Sequence, residues 1–225
     1  MYLLIDIPEL DELPKSFPQY WLKIMFIGTI SKSFQVNSLT STYLRLVEAA
    51  IAEYRLGHTK LKEFWDTHDT IYLSAMHRSV SHFESCLSDM HRAINCFTRL
   101  RRHRELPESL RRVLNKQKPH FIASQVSDQL RLFRNDIHHL DKLLNDGRLK
   151  PGQPISLMPD GPEVPHPSEQ NQTNKTIDRL IIAQRELKFV DLAKWLAEMA
   201  VFAGKIAEYQ VRRDGETAKE GTETF

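Results

Sequence analysis

The chain has 225 residues, of which 41% are apolar and 27% charged, so it can build the packed core of a single domain and is not a fully disordered chain. Its 31 Lys and Arg residues nearly balance 29 Asp and Glu residues. The net charge of +2 excludes a global attraction to nucleic acids or membranes, and any basic patch must be local. Two cysteines are too few for a disulfide framework, which favours a reducing, cytoplasmic location.

Residues 1–38 are predicted to form an N-terminal arm or an extra helix. Residues 2–7 resemble a short strand and fit an extended arm equally well. The first residues are acidic and lack a basic stretch, so we expect no signal peptide. The apolar run 21–30 contains Lys23 and is shorter than the about 20 residues of a membrane span. It is interpreted as a buried element, and no membrane association is expected.

The first helical pattern covers residues 39–65 and places Leu44, Val47 and Ile51 on one face. Gly57 either ends this helix or marks a break within it.

The second pattern is the clearest in the sequence, because its apolar residues follow one another at alternating spacings of three and four. This spacing predicts a long helix that packs against a neighbour along a narrow seam, and Pro107 ends it. The seam consists of Leu73, Met76, Val80, Phe83, Leu87, Met90, Ile94 and Phe97.

The third pattern covers residues 121–149, and the fourth covers residues 189–213. The C-terminal helix that contains the fourth pattern is assigned to residues 177–213. The Pro-rich residues 150–176 between them are predicted to form a loop, and residues 214–225 a flexible tail.

Together with the core helices of residues 39–149, these segments predict one all-α domain. The expected architecture is an antiparallel helical bundle with long up-and-down helices.

A cluster of chemically active side chains lies in the third helix, in the run Arg134-Asn135-Asp136-Ile137-His138-His139. An imidazole titrates near neutral pH and can take the proton of a ribose 2′-hydroxyl. A guanidinium can hold the scissile phosphate and stabilise the charge that develops on it. RNA supplies its own nucleophile, the 2′-oxygen, so such a site needs no metal and no cofactor. The alternative is a solvated helix flank with local ion pairs.

The pattern Arg134-Asn135-x-x-x-His139 resembles the R-[polar]-x-x-x-H signature of the HEPN superfamily. The resemblance covers this motif and the helical layout. It implies a helical, homodimeric, metal-independent endoribonuclease of the toxin–antitoxin or anti-phage type. RNA would be the substrate, and an antitoxin or another defence-system protein the partner. It also implies that Arg134 and His139 are the catalytic pair and that Asn135 orients them.

The spacing of the motif raises a geometric question. On a straight helix Arg134 and His139 are about 140° apart around the axis, whereas Arg134 and His138 are neighbours. Either the helix is irregular here, or two subunits of a dimer share a composite site. The additional His138 is a candidate for substrate binding.

Two further sets of residues complete the candidate site. HEPN proteins often carry an acidic residue on the first helix of the domain, so the resemblance implies a supporting catalytic role for Glu84. It lies in a polar stripe with His77 and His91, and that stripe can equally face solvent.

Residues 99–118 hold six Arg and two Lys against two Glu, a net +6 in a chain of net +2. This concentration predicts that RNA phosphates are bound by Arg101, Arg102, Arg111 and Arg112, although cations are also common at helix C-termini.

Two other functions stay open from the sequence. One is a non-catalytic helical protein that binds RNA, a nucleotide or a partner protein through the basic segment. The other is a scaffold whose long seam forms a coiled-coil-like dimer. No phosphate-binding loop, dinucleotide motif, zinc-protease motif or serine-hydrolase motif occurs, which disfavours those enzyme classes.

Overall fold

A computed structural model describes residues 2–27, 31–66, 73–149, 155–157, 159–169 and 171–220 of the chain. In this part of the chain helices dominate, which confirms the helical character of the predicted all-α domain but not the absence of strands. Two small three-stranded sheets accompany them. In chain order the elements are β1 (Tyr2–Ile5), α1 (Ser16–Ile27), α2 (Phe34–Asp66), α3 (Leu73–Arg102), α4 (Glu108–Asn115), a 3-10 turn (His120–Ile122), α5 (Ser124–His138), α6 (Leu140–Asn145), β2 (Ile155–Ser156), β3 (Val164–Pro165), β4 (Thr173–Ile177), β5 (Arg179–Ile182), β6 (Arg185–Lys188) and α7 (Phe189–Glu220).

Helices α2 and α3 form an antiparallel pair at the centre of the core. The rings of Tyr43 and Phe97 lie 5.0 Å apart, and those of Tyr54 and Phe83 lie 5.9 Å apart. Tyr43, early in α2, contacts a ring late in α3, and Tyr54, later in α2, contacts a ring earlier in α3. The two helices are therefore antiparallel. All four rings are buried, so aromatic packing holds the pair together along its length.

Gly57 neither ends nor breaks α2, which continues to Asp66. A Cβ atom at this position would lie 3.0 Å from the ring of Phe83 on α3. The hydroxyl of Ser79 also donates a hydrogen bond of 2.6 Å to the Gly57 carbonyl. The missing side chain therefore lets α3 approach the backbone of α2 closely.

Helix α7 packs alongside α3 in the same direction. Phe189 lies 4.8 Å from Phe83, and Phe202 lies 5.5 Å from Phe97, measured between ring centroids. Because α7 begins beside Phe83, it does not pack against the first turns of α3, and Leu73 remains 53% exposed. The later seam residues Phe83, Leu87, Met90, Ile94 and Phe97 are buried as predicted, whereas Met76 and Val80 are only half-buried.

The predicted helix over residues 177–213 and the predicted loop over residues 150–176 are wrong in part. Sheet one has the strand order β1-β4-β3, with β1 parallel to β4, and sheet two has the order β2-β5-β6. Burial alternates along β5, which is the period of a strand and not of a helix. The chain turns into β6 through Ala183 and Gln184, whose φ angles are 46° and 68°.

Part of the predicted flexible tail is helical. Helix α7 continues through residues 214–220, and residues 221–225 lie outside the described residues.

Helix α1 only partly fulfils the expectation of a buried element over residues 21–30. Phe17 and Tyr20 are buried, but Leu22, Met25 and Phe26 are 55%, 75% and 78% exposed. Residues 28–30 lie outside the described residues. Among the helices of the described ranges, none combines the length and the apolar character that a bilayer crossing requires.

Candidate active site and basic groove

The predicted motif lies at a break between two helices. Helix α5 ends at His138 and α6 begins at Leu140, while His139 has φ −119° and ψ 22°, outside the helical region. The His139 amide still donates to the Asn135 carbonyl at 2.9 Å. The irregular helix, one of the two predicted alternatives, is therefore what the structure has.

The break borders a cavity of about 240 Å³, here called the motif cavity. Asn135 lies on its wall from α5, His139 from the break, and Lys142 from α6. The remaining wall is formed by Asp136, Leu143, Asp146 and Arg148. The imidazole of His139 is exposed, so a ligand in the cavity can reach it.

Arg134 is linked to the motif cavity through its neighbour. Its Nη1 donates a hydrogen bond of 3.3 Å to Oδ1 of Asn135, and Arg134 is half-buried. Asn135 thus contacts the guanidinium and also faces the cavity shared with His139. His138 is exposed and does not belong to the described lining of the cavity.

The positive charge of Arg134 acts on a histidine of helix α3, His91. The pKa of His91 is lowered, first by burial and then by the positive charges of Arg134 and Arg131. Glu84 lies seven residues earlier on α3, about 10.5 Å along the helix axis. Burial raises the pKa of Glu84. The charge of Arg134 therefore acts on His91, whereas the shift of Glu84 is due to burial.

The carboxylates of the motif cavity are paired with arginines. Asp136 accepts a hydrogen bond of 2.7 Å from Nε of Arg185 at the start of β6, and Asp146 lies 3.5 Å from Nε of Arg148. Lys142, in contrast, has no carboxylate partner among the described residues. The cavity thus offers a free ammonium group next to an imidazole, which suits a phosphate ligand.

Lys142 and Arg148 were not predicted, and His91 was named only as part of a polar stripe that could face solvent. Arg148 reaches the cavity because Gly147, with φ 62°, turns the chain back. The Arg148 amide then donates to the Leu143 carbonyl at 3.1 Å. The electrostatic surroundings of His91 depend on how α3 packs against α5, which the stripe alone does not reveal.

The arginines of the basic segment, residues 99–118, differ in their contacts. Arg111 donates from Nη2 to the carbonyls of His103 and Arg104 at 3.0 Å and of Leu106 at 3.4 Å. These bonds hold the turn between α3 and α4, so the predicted RNA contact of Arg111 competes with a structural role. Arg112 is 79% exposed and lies 3.5 Å from Glu108.

Arg101 and Arg102 line a second, larger cavity of about 740 Å³, here called the basic groove. It lies between the end of α3 and the start of α5, with Lys118 on its wall. Nε of Arg101 donates to Oδ1 of Asn115 at 2.8 Å, and its guanidinium lies 5.8 Å from the centre of the Phe97 ring. Burial, and next the charge of Arg102, lower the pKa of Arg101.

Comparisons with models of protein families, with curated proteins and with solved structures gave no match to this chain.

Proposed function

We propose that this chain is a HEPN-like endoribonuclease and that the motif cavity is its active site. The observation that carries the proposal is the break at His139. It brings an accessible imidazole and Asn135 to one cavity, while Asn135 holds the guanidinium of Arg134.

In the proposed reaction, His139 takes the proton of a ribose 2′-hydroxyl. The 2′-oxygen then forms a bond to the adjacent phosphorus, and the bond from phosphorus to the 5′-oxygen breaks. The imidazolium of His139 returns a proton to the departing 5′-oxygen, and the product carries a 2′,3′-cyclic phosphate. Arg134 stabilises the charge that develops on the phosphate oxygens. The nucleophile belongs to the RNA, so these steps involve no metal or cofactor.

The first prediction concerns the two catalytic residues. His139→Ala should lower the cleavage rate by about 10²–10⁴-fold, because the general base is lost. Arg134→Ala should lower it by about 10²–10³-fold, because the charge on the phosphate is no longer stabilised. The measurement is cleavage of a labelled RNA in the presence of EDTA, with circular dichroism to check that each variant folds.

His138→Gln is the matched control, since His138 is an adjacent, exposed histidine outside the described cavity lining. We expect it to retain most of the activity. Undiminished cleavage by either Arg134→Ala or His139→Ala would reject the proposal.

The wider role that the resemblance implies belongs to the same proposal. It comprises a helical bundle, a cytoplasmic location, a homodimer, and an antitoxin or defence-system partner for a toxin or anti-phage enzyme. Light scattering of the purified chain tests the dimer directly.

A second function, non-catalytic RNA binding, is favoured by the basic groove. Arg101 and Arg102 lie together there, and the described contacts of Arg101 are with the neutral groups of Asn115 and Phe97. RNA binding without any cleavage product, at every protein concentration, would favour this function over the enzyme.

A further inference from the structure

The basic groove holds more positive charge than its own acids neutralise. Arg102 and Lys118 have no ion pair among the described residues. Asp128 is the only acid in the described lining, and it already lies 3.1 Å from Nη2 of Arg131. Clustered cations without acidic partners repel one another, so an anionic ligand would stabilise them.

A polar stripe on α5 connects the basic groove to the motif cavity. Ser124 and Asp128 line the groove, Asn135 lines the cavity, and Arg131 lies between them. The spacings of four, three and four place these residues on one face of the helix. From Ser124 to Asn135 the stripe is about 16 Å long.

A matching stripe follows α3, which packs against α5. Thr98 and Arg102 line the basic groove, and His91 lies at the other end, close to the charges of Arg131 and Arg134. Spacings of seven and four put His91, Thr98 and Arg102 on one face of α3. The two stripes therefore run side by side, and together they are called the polar track.

We propose that a single unpaired RNA strand lies along the polar track, with its scissile phosphate in the motif cavity and a more distant phosphate in the basic groove. The identity of the strand rests on the proposed function. Packed helices lie about 8–10 Å apart, so cations from α3 and α5 converge on one line and match one backbone. The described lining of the groove holds no aromatic ring for base stacking. The strand is thus bound through its phosphates, with little sequence preference.

The test measures RNA affinity in the full-length His139→Ala protein, so that cleavage does not interfere. The probe is a fluorescent unpaired RNA of about 12 nucleotides, within the footprints of single-strand-binding folds. Arg102→Gln and Lys118→Gln should each raise Kd about three- to tenfold. Each should also reduce the slope of log K against log salt by about 0.7, the value for one phosphate contact of a single strand.

Arg92→Gln serves as the matched control. Arg92 is an exposed arginine of the same helix α3, outside the described groove lining, and its charge is already paired with Asp89 at 3.3 Å. We expect its Kd and salt slope to equal those of the parent. A fully paired RNA of equal length should compete poorly for the site.

Three results would overturn the inference: groove variants that bind like Arg92→Gln, an unchanged salt slope, or equal competition by duplex RNA. These outcomes are separate from failure of the proposed function. If the wild-type chain cleaves nothing but Arg102→Gln and Lys118→Gln weaken binding, the strand path stands and the catalytic assignment falls. If His139→Ala abolishes cleavage but the groove variants bind normally, the strand path falls alone.

Discussion

At the scale of single residues, two adjacent arginines, Arg111 and Arg112, contribute differently to the fold. Arg111 is one-third exposed, its guanidinium binds three backbone carbonyls, and it lies 3.6 Å from Glu108. Arg112 is largely exposed, and its contact among the described residues is the same exposed Glu108. A hydrogen bond from a charged donor stabilises a fold by about 1.5–3 kcal/mol, less where water has access. An exposed ion pair contributes about 0–1 kcal/mol.

We therefore predict that Arg111→Ala lowers the free energy of unfolding by about 1–2 kcal/mol, whereas Arg112→Ala changes it by less than about 0.5 kcal/mol. Urea unfolding followed by circular dichroism measures both. Arg111→Lys keeps the charge, but its ammonium ends one bond closer to the backbone than Nη2, so it should also lower the stability. Equal stability of the Arg111 and Arg112 variants would contradict the structural role of Arg111.

At the scale of elements, the contact between α2 and α3 depends on the absence of a side chain at Gly57. Helix propensity alone favours Ala over Gly by about 1 kcal/mol. However, the new Cβ atom would lie 3.0 Å from the ring of Phe83, which is fully buried between Tyr54 and Phe189 and has no room to move. Overpacking of this kind costs about 1–3 kcal/mol.

Gly57→Ala is therefore predicted to destabilise the protein, by about 1–2 kcal/mol in urea unfolding, against its helix propensity. The control is the double variant Gly57→Ala/Phe83→Leu compared with Phe83→Leu alone. In this smaller-ring background the added methyl group should cost less, or should stabilise. A more stable Gly57→Ala single variant would show that α3 does not lie this close to α2.

Elements whose fold depends on periodicity were predictable, and those that depend on a turn were not. The apolar spacing predicted α2, α3, α5 and α7 because a buried helix face repeats every 3.6 residues. The hairpin β5–β6 was missed because Ala183 and Gln184 occupy its two positive-φ positions, where Asn and Gly are the usual signals.

The candidate site was predictable to a similar extent. The motif identified Arg134, Asn135 and His139 as candidates. The break at His139 was not predictable, because no Gly or Pro precedes it. The position of His91 depends on packing between α3 and α5, which are distant in sequence. The position of Lys142 depends on the break between α5 and α6. Residue spacing on one straight helix reveals neither.

At the scale of the whole molecule, two histidines make stability depend on pH. Burial, and next Lys62, lower the pKa of His58 despite the opposing effect of Glu9. Burial and the charges of Arg134 and Arg131 lower the pKa of His91. In the unfolded chain both groups titrate near their ordinary pKa of 6.5. Below this pH the unfolded chain binds more protons than the folded protein, so acid favours unfolding.

Two acids work in the opposite direction at lower pH. Burial is the first cause that raises the pKa values of Glu84 and Asp89 above their ordinary values of 4.5 and 3.8. Their protonated forms are favoured in the folded protein, so their contribution to stability grows as the pH falls toward these values. The histidine effect is therefore best isolated between about pH 7.5 and about pH 5.5.

We predict that the free energy of unfolding of the wild-type chain decreases as the pH falls through this window, with part of the slope due to His58 and His91. Replacing either with Gln removes one titrating group whose folded and unfolded pKa values differ, so the slope should be shallower in each variant and shallowest in the double variant. Urea unfolding at a series of pH values measures these slopes, and any constant loss of stability from the substitution itself cancels out. A double variant with the wild-type slope would mean that protonation of these two imidazoles costs nothing in the folded state. His91 would then not be half-buried within the field of Arg131 and Arg134.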